Sequence, residues 1–267
     1  MKQDAERKAS QQQVKRVIVF KHVAGEVLGT LNPLLKEQKL SIRYVNFERY
    51  PSAEPVLDKY HGLVVFGGWM GVYEADRYKH LKVEMKAIEQ ALKRDLPVLG
   101  ICLGSQILAH VLGAHVRKHE EKEVGWSDVE LTAEGLKDPL LAHFQPREKL
   151  FQMHGDTFDI PSGAVHLARS EICHGQAFRY GDKAYGLQFH LEVDRAMIER
   201  FLKVPKNREE VEAFAGRHAI EKMEAETDHY LARSVELSRE AFLQFVRLFG
   251  VEAREPRRMG HGKDRLK

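Results

Sequence analysis

The stretch VLGICLGSQILAHVLG, residues 98–113, decides the fold. It begins as a short apolar strand and continues as an apolar helix. Cys102 lies at the junction, with Gly100 two residues before it and Gly104 two residues after it. A sharp strand-to-helix turn needs small flanking residues, and it exposes the side chain at its apex on top of the sheet. The pattern therefore predicts a strand–turn–helix unit with Cys102 at the apex.

Strand-like and helix-like segments alternate on the N-terminal side of this unit. The apolar runs that predict strands are KRVIVF (15–20), SIRYVNF (41–47) and GLVVFGG (62–68). Apolar residues at helical spacing predict helices at about 25–38 and 78–94. This alternation predicts an α/β fold with a mostly parallel sheet flanked by helices. Further strand-like runs within 115–190 predict an added antiparallel portion, either extending the sheet or lying beside it.

The C-terminal part returns to helical spacing, and we expect helices around 207–229 and 231–249. The predicted organisation has four parts: a disordered N-terminus (1–14), a main domain (15–205), a helical extension packed on it (206–250) and a disordered basic tail (251–267). The apolar residues of the extension leave two alternatives open. They either cover the sheet or a partner helix of the extension, or form a docking or homodimer surface.

Composition excludes several classes of function. The chain has 267 residues and a net charge of +3, and its excess of basic residues lies at the two ends, so a nucleic-acid-binding face is not expected. Two cysteines fit a reducing compartment, and no Cys/His spacing typical of zinc is present. We expect no cofactor and no metal. Because neither a signal peptide nor a membrane-spanning run is evident, we predict a cytoplasmic protein without membrane contact.

Three features fall at the carboxyl ends of predicted strands, where open α/β sheets bind ligands. Gly67 and Gly68 follow one strand, Cys102 follows the next, and His190 follows GLQF with Glu192 two residues further on. A cysteine at a helix N-terminus is favoured as thiolate, a histidine can act as its base, and a carboxylate can orient that histidine. Taken singly, each feature also fits a structural role: a small buried cysteine, an ordinary histidine and a glycine turn.

Four segments in order resemble class I glutamine amidotransferases, in particular stand-alone proteins similar to the glutaminase domain of GMP synthase. They are FGGWMGVYE (66–74), GICLGSQILA (100–109), FQMHGDTFDIP (151–161) and QAFRYGDKAYGLQFHLEV (176–193). The resemblance covers about residues 15–205 and implies a flavodoxin-like fold. It implies that Cys102 attacks the side-chain amide of glutamine, that His190 transfers the proton and that Glu192 orients His190. It further implies an oxyanion hole made by the backbone amides of Gly68 and Leu103.

The resemblance also implies a set of substrate contacts. These are Gly67, Gln106, His154, Gly155 and Asp156. The chain departs from the family pattern at Trp69 and Leu191, where prolines are usual, which leaves the choice of substrate or ammonia acceptor open. Cys173 matches no catalytic position of the family.

The resemblance leaves several functions open. No Ser-Gly-Gly-x-Asp-Ser loop of an ATP-pyrophosphatase is present, so ammonia would pass to a separate synthetase subunit or be released. The alternatives are a γ-glutamyl peptidase acting on another γ-glutamyl compound, and a non-catalytic binding or regulatory relative. A cysteine hydrolase of the DJ-1/PfpI type is a weaker alternative, since the His-x-Glu ending favours the amidotransferases.

Overall fold

A computed structural model describes residues 14–23 and 27–250, so the predicted disordered tail and nearly all of the predicted disordered N-terminus lie outside the described residues. The strands within these residues are β1 (Arg16–Lys21), β2 (Ser41–Asn46), β3 (Gly62–Val65), β4 (Val98–Ile101), β5 (Val116–Leu131), β6 (Arg147–Phe158), β7 (Val165–Arg169), β8 (Ala177–Tyr180) and β9 (Ala184–Leu187). These nine strands form one sheet in the order β2-β1-β3-β4-β9-β8-β7-β5-β6. The helices of the described segments are α1 (Leu31–Glu37), α2 (Lys79–Lys93), α3 (Leu103–Val111), α4 (Arg195–Leu202), α5 (Pro205–Ala215) and α6 (Ala219–Arg247), with short 3₁₀ turns at 72–74, 135–137 and 139–141.

The first half of the sheet is parallel. Strands β2, β1, β3, β4 and β9 pair in parallel in that order, which is the flavodoxin-like arrangement of a doubly wound sheet. The predicted α/β class and parallel sheet are therefore confirmed. In this order the chain reverses direction across the sheet between β1 and β3, so the loops that follow these two strands lie side by side at the carboxyl edge.

The second half of the sheet is antiparallel. β8 pairs with β9, β7 with β8, and β5 with both β7 and β6. Of the two arrangements left open by the sequence, the structure has the first, because these strands extend the same sheet. The long β5–β6 pair reaches back to the parallel half, where Phe151 forms an isolated bridge with His190.

Helices cover both faces of the parallel half. One face packs against α2 and α3 through side chains such as Leu81 and Ile107, and the other packs against α1 and α6. On α6, Leu237, Phe242 and Phe245 are buried in the same apolar cluster as β1, β3 and β4. The C-terminal helix thus packs on this face of the sheet. The domain boundary at 205/206 and the docking or homodimer surface remain predictions.

The predicted split of the C-terminal helices is wrong. The chain breaks at Gly216, whose φ of +94° suits glycine, and α6 then runs without interruption through residue 230. The predicted helix at 25–38 shortens to α1, with residues 24–26 outside the described part. Among the helices described, none combines the length and apolar character needed to cross a membrane.

Candidate active site

Cys102 occupies a strained turn between β4 and α3. Its φ of +52° and ψ of −112° lie in a backbone region that residues other than glycine rarely adopt. A Cβ atom at Gly100 would lie 2.4 Å from the carbonyl oxygen of Gly104, and one at Gly104 would lie 2.0 Å from that of Val65. Both glycines are therefore required for close backbone approach, and the sharp turn predicted from their spacing is present.

His190 and Glu192 lie beside this turn. The backbone N–H of His190 donates to the carbonyl of Phe151 at 2.8 Å, which fixes the residue just beyond β9. Its Nδ1 lies 2.7 Å from Oε1 of Glu192, and both side chains are buried. The backbone of Glu192 is held in turn, since its carbonyl accepts from the backbone N–H of Thr30 at 3.0 Å.

The charge state of His190 follows from these neighbours. Burial lowers its pKa, but the neighbouring Glu192 and Cys102 side chains outweigh burial and raise the pKa well above its ordinary value. Nε2 makes no close hydrogen bond to the described residues, and the Cys102 thiol has only a long contact, 3.7 Å, to the Met153 carbonyl. An imidazolium beside a thiol stabilises the thiolate, which is the reactive form.

Gly67 and Gly68 follow β3 and reach the same turn. A Cβ at Gly68 would lie 2.7 Å from Cδ2 of Leu103, so the backbone of Gly68 lies close to the residue that follows Cys102. Across the described residues, the backbone N–H groups of Gly68 and Leu103 have no hydrogen-bond acceptor. Two free amides beside a thiol can bind a negatively charged oxygen.

The predicted substrate residues are brought together only in part. Gln106 Nε2 donates to Gln188 Oε1 at 3.0 Å and more weakly, at 3.4 Å, to the carbonyl of Asp156. Burial and the neighbouring Asp156 carboxyl raise the pKa of Tyr73 to about 12. Burial raises the pKa of Asp156 above its ordinary value. Tyr73 was not predicted from the sequence, because no local pattern links residues 73 and 156. The substrate roles remain predictions.

His154 belongs to a separate buried cluster. Its Nδ1 donates to the Asp156 carbonyl at 3.0 Å, and its Nε2 lies 3.1 Å from Glu123 Oε2. Cys173 is the third member, with Sγ 3.2 Å from the Thr157 hydroxyl, and burial raises the pKa of Cys173 to about 11. Since both ring nitrogens of His154 are engaged, this cluster resembles a second triad in composition but has no nitrogen left to deprotonate Cys173.

A third buried cluster combines His22, His80 and Glu84. In this group, and in the cluster of Glu123, His154 and Cys173, the potential ligand atoms lie within 4.8 Å of one another. His22 and His154 already use both ring nitrogens in hydrogen bonds, so neither cluster is assigned to a metal. His22 and Glu84 were not predicted from the sequence, although His22 immediately follows β1 at the carboxyl edge of the sheet, which was an available signal.

The fold and this edge together define an α/β protein with a cysteine elbow, a neighbouring His–Glu pair and two backbone amides that have no acceptor among the described residues. The sequence model of the family "Glutamine amidotransferase class-I" matches residues 30–201. The chain belongs to the class I glutamine amidotransferase family.

Similar proteins agree with this assignment. The chain is 32% identical to a glutamine amidotransferase-like protein, YfeJ, of Salmonella typhimurium, over 70% of this chain and 80% of that one. It is 40% identical to a subunit of the glutamine-hydrolysing GMP synthase of Methanosarcina barkeri, over 41% of this chain and 60% of that one. A crystal structure of a glutamine amidotransferase from Thermotoga maritima superposes with a TM-score of 0.76 at 36% identity, covering 88% of this chain and 99% of that one.

Proposed function

We propose that the protein hydrolyses the side-chain amide of glutamine through a γ-glutamyl thioester on Cys102. The observation that carries this proposal is the buried pair of His190 and Glu192, with Nδ1 and Oε1 2.7 Å apart, beside the strained elbow that carries Cys102. A binding protein has no need of a nucleophile, a raised-pKa histidine and an orienting carboxylate at one point. Family membership and the name of the Methanosarcina relative support the choice of glutamine.

In the proposed reaction the thiolate sulfur of Cys102 forms a bond to the amide carbon. The carbonyl oxygen becomes negatively charged and accepts hydrogen bonds from the N–H groups of Gly68 and Leu103. His190 donates its proton to the nitrogen as the carbon–nitrogen bond breaks, and ammonia leaves. Neutral His190 then takes a proton from water, whose oxygen attacks the thioester. Glutamate departs, and the thiolate–imidazolium pair is restored.

Ammonia passes either to a separate acceptor protein or into solution. The name of the Methanosarcina relative supports a partner protein, since that relative is one subunit of a glutamine-hydrolysing GMP synthase. Ammonia release by the chain alone would show that hydrolysis itself needs no partner.

Trp69 supports a second candidate substrate class, γ-glutamyl compounds with a larger amine. Its side chain is 67% exposed and packs edge-on against Tyr78, with ring centroids 5.0 Å apart. It directly follows Gly68, so an exposed aromatic surface adjoins the proposed oxyanion hole. Such a surface suits a leaving group with an apolar portion better than it suits ammonia.

The test is ammonia release from glutamine by the wild-type protein and by the Cys102→Ala variant, with release of an amino acid from γ-glutamyl dipeptides measured in parallel. Release of ammonia by the wild type alone supports the glutaminase. Faster cleavage of the dipeptides than of glutamine favours the second candidate. Equal rates for the wild type and the variant with both substrates would contradict both.

A further inference from the structure

The third buried cluster lies directly behind the loop that carries Gly68. His22, which follows β1, places its Nδ1 2.5 Å from the carbonyl oxygen of Gly67, which follows β3. Its Nε2 lies 2.7 Å from Oε2 of Glu84 on α2, and the side chains of His22 and Glu84 are fully buried. The contact therefore joins the two strand ends between which the chain reverses direction across the sheet.

Hydrogen-bond chemistry fixes the protons on His22. A carbonyl oxygen can only accept, so Nδ1 carries a proton and donates it to Gly67. Glu84 accepts from His80 Nδ1 at 2.8 Å as well as from His22. Burial raises the pKa of Glu84, but the two histidines outweigh burial and hold the pKa below its ordinary value. An ionised Glu84 accepts a hydrogen bond from Nε2, so this contact favours the imidazolium form of His22.

This bond decides which way the Gly67–Gly68 peptide faces. In a planar trans peptide the carbonyl of one residue and the N–H of the next point in opposite directions. With the Gly67 carbonyl turned to His22, the Gly68 N–H points away from His22, and it has no acceptor in the described part of the chain. A peptide between two glycines rotates with little steric resistance, so an external anchor is needed to hold one orientation.

We propose that His22, held by Glu84, is a positioning residue that locks the Gly67–Gly68 peptide with its N–H directed to the oxyanion formed at Cys102. The expected effect on catalysis rests on the proposed hydrolysis. The effect of His22 on the orientation of the Gly67–Gly68 peptide does not depend on that proposal. In its imidazolium form His22 also polarises this peptide, which makes the Gly68 N–H a stronger donor.

Three substitutions separate orientation from charge. His22→Asn keeps an N–H donor near the position of Nδ1, so we expect kcat within a few-fold of the wild type. Glu84→Gln keeps the Nδ1 bond of a neutral His22 and removes only the charge, so we expect a loss of less than about tenfold. His22→Leu removes the donor, and we expect a loss of about 10²-fold in kcat with little change in KM, the effect of losing one oxyanion donor.

Two controls make the result specific to positioning. His80→Leu alters the same cluster at the other carboxylate oxygen and leaves the Gly67 bond intact, so we expect near-normal kcat. Alkylation of Cys102 by iodoacetamide forms no oxyanion in the hole, so its rate is expected to be the same in His22→Leu and in the wild type. In His22→Leu the buried Glu84 carboxyl loses one hydrogen-bond partner, which can itself disturb the fold. The double variant His22→Leu/Glu84→Gln removes that buried charge and is measured as a control.

Crystal structures of the wild type and of the leucine variants complete the test. A rotated Gly67 carbonyl in the variants and an unrotated one in His22→Asn support the proposal. An unchanged peptide in the leucine variants, or equal losses of kcat in His22→Leu and His80→Leu, would overturn it. Absence of any hydrolysis by the wild type would count against the proposed function and not against the role of His22. In that case the orientation of the Gly67–Gly68 peptide in the crystal structures still tests the role of His22.

Discussion

The Nδ1 atom of His190 lies 2.7 Å from Oε1 of Glu192, two residues further along the chain, and both side chains are buried. A carboxylate only accepts hydrogen bonds, so Nδ1 is the donor and Nε2 is left on the side of Cys102. Glu192 is fixed in turn by Thr30, whose hydroxyl lies 2.5 Å from that of Ser238 on α6. The C-terminal helix therefore supports the orientation of the histidine through Thr30.

Replacing Glu192 by Gln is expected to lower the pKa of His190 and to slow ammonia release by about 10²-fold, the scale of a lost acid–base contribution. The pKa of His190 is raised in the folded state, so its stabilising effect is complete below the unfolded value of about 6.5 and disappears as pH rises through the folded value. The wild type should therefore be more stable than the Glu192→Gln variant by a larger margin in the free energy of unfolding at pH 6 than at pH 9.5. Urea denaturation at the two pH values measures it, and a difference independent of pH would contradict the prediction.

The backbone at Cys102 predicts an unusual order of stability. A residue other than glycine at φ +52° and ψ −112° costs about 1–3 kcal/mol, and glycine relieves that cost. Cys102→Gly should therefore be about 1 kcal/mol more stable than Cys102→Ala, after allowing for the greater flexibility of unfolded glycine, and both should lack ammonia release. Chemical denaturation of the two inactive variants gives the comparison. Equal or reversed stability would show that the turn is not strained.

The sequence predicted those parts of the site that lie in short segments at strand ends. Cys102 with its glycines, and His190 with Glu192, are local patterns whose geometry follows from the strand–turn–helix unit and from a spacing of two residues. The sheet class followed in the same way from alternating apolar periodicity.

The contacts that were not predicted from the sequence join distant segments. His22 and Gly67 are 45 residues apart, and His22 and Glu84 are 62 apart, so no local spacing reveals either pair. The break between α5 and α6 was also misplaced. In the structure α5 ends before Gly216, whose φ is +94°, and α6 is continuous through residue 230.

The two cysteines should differ sharply in reactivity. Cys102 lies beside an imidazolium, whereas burial raises the pKa of Cys173 to about 11 and its sulfur is hydrogen-bonded to Thr157. Iodoacetamide at pH 7.5 should modify Cys102 at least about tenfold faster than Cys173 in the folded protein, and both at similar rates in urea. Peptide mass spectrometry reads the two sites separately. Cys173→Ala should retain ammonia release, and preferential modification of Cys173 would point to the cluster of Glu123, His154 and Cys173 as the reactive one.

The proposed boundary at 205/206 is tested by the burial of α6. Phe242 is 1% exposed within the apolar cluster that includes β1 and β4, so Phe242→Ala should lower the free energy of unfolding by about 3–5 kcal/mol. Phe214 on α5 is 44% exposed, and Phe214→Ala is the matched control, with an expected change within about 0.5 kcal/mol. Thermal and urea denaturation measure both.

If α6 is part of the sheet's core, a chain ending at residue 205 does not unfold cooperatively. A truncated chain as stable as the full one would instead make the extension a separate module, free to serve as the docking or homodimer surface.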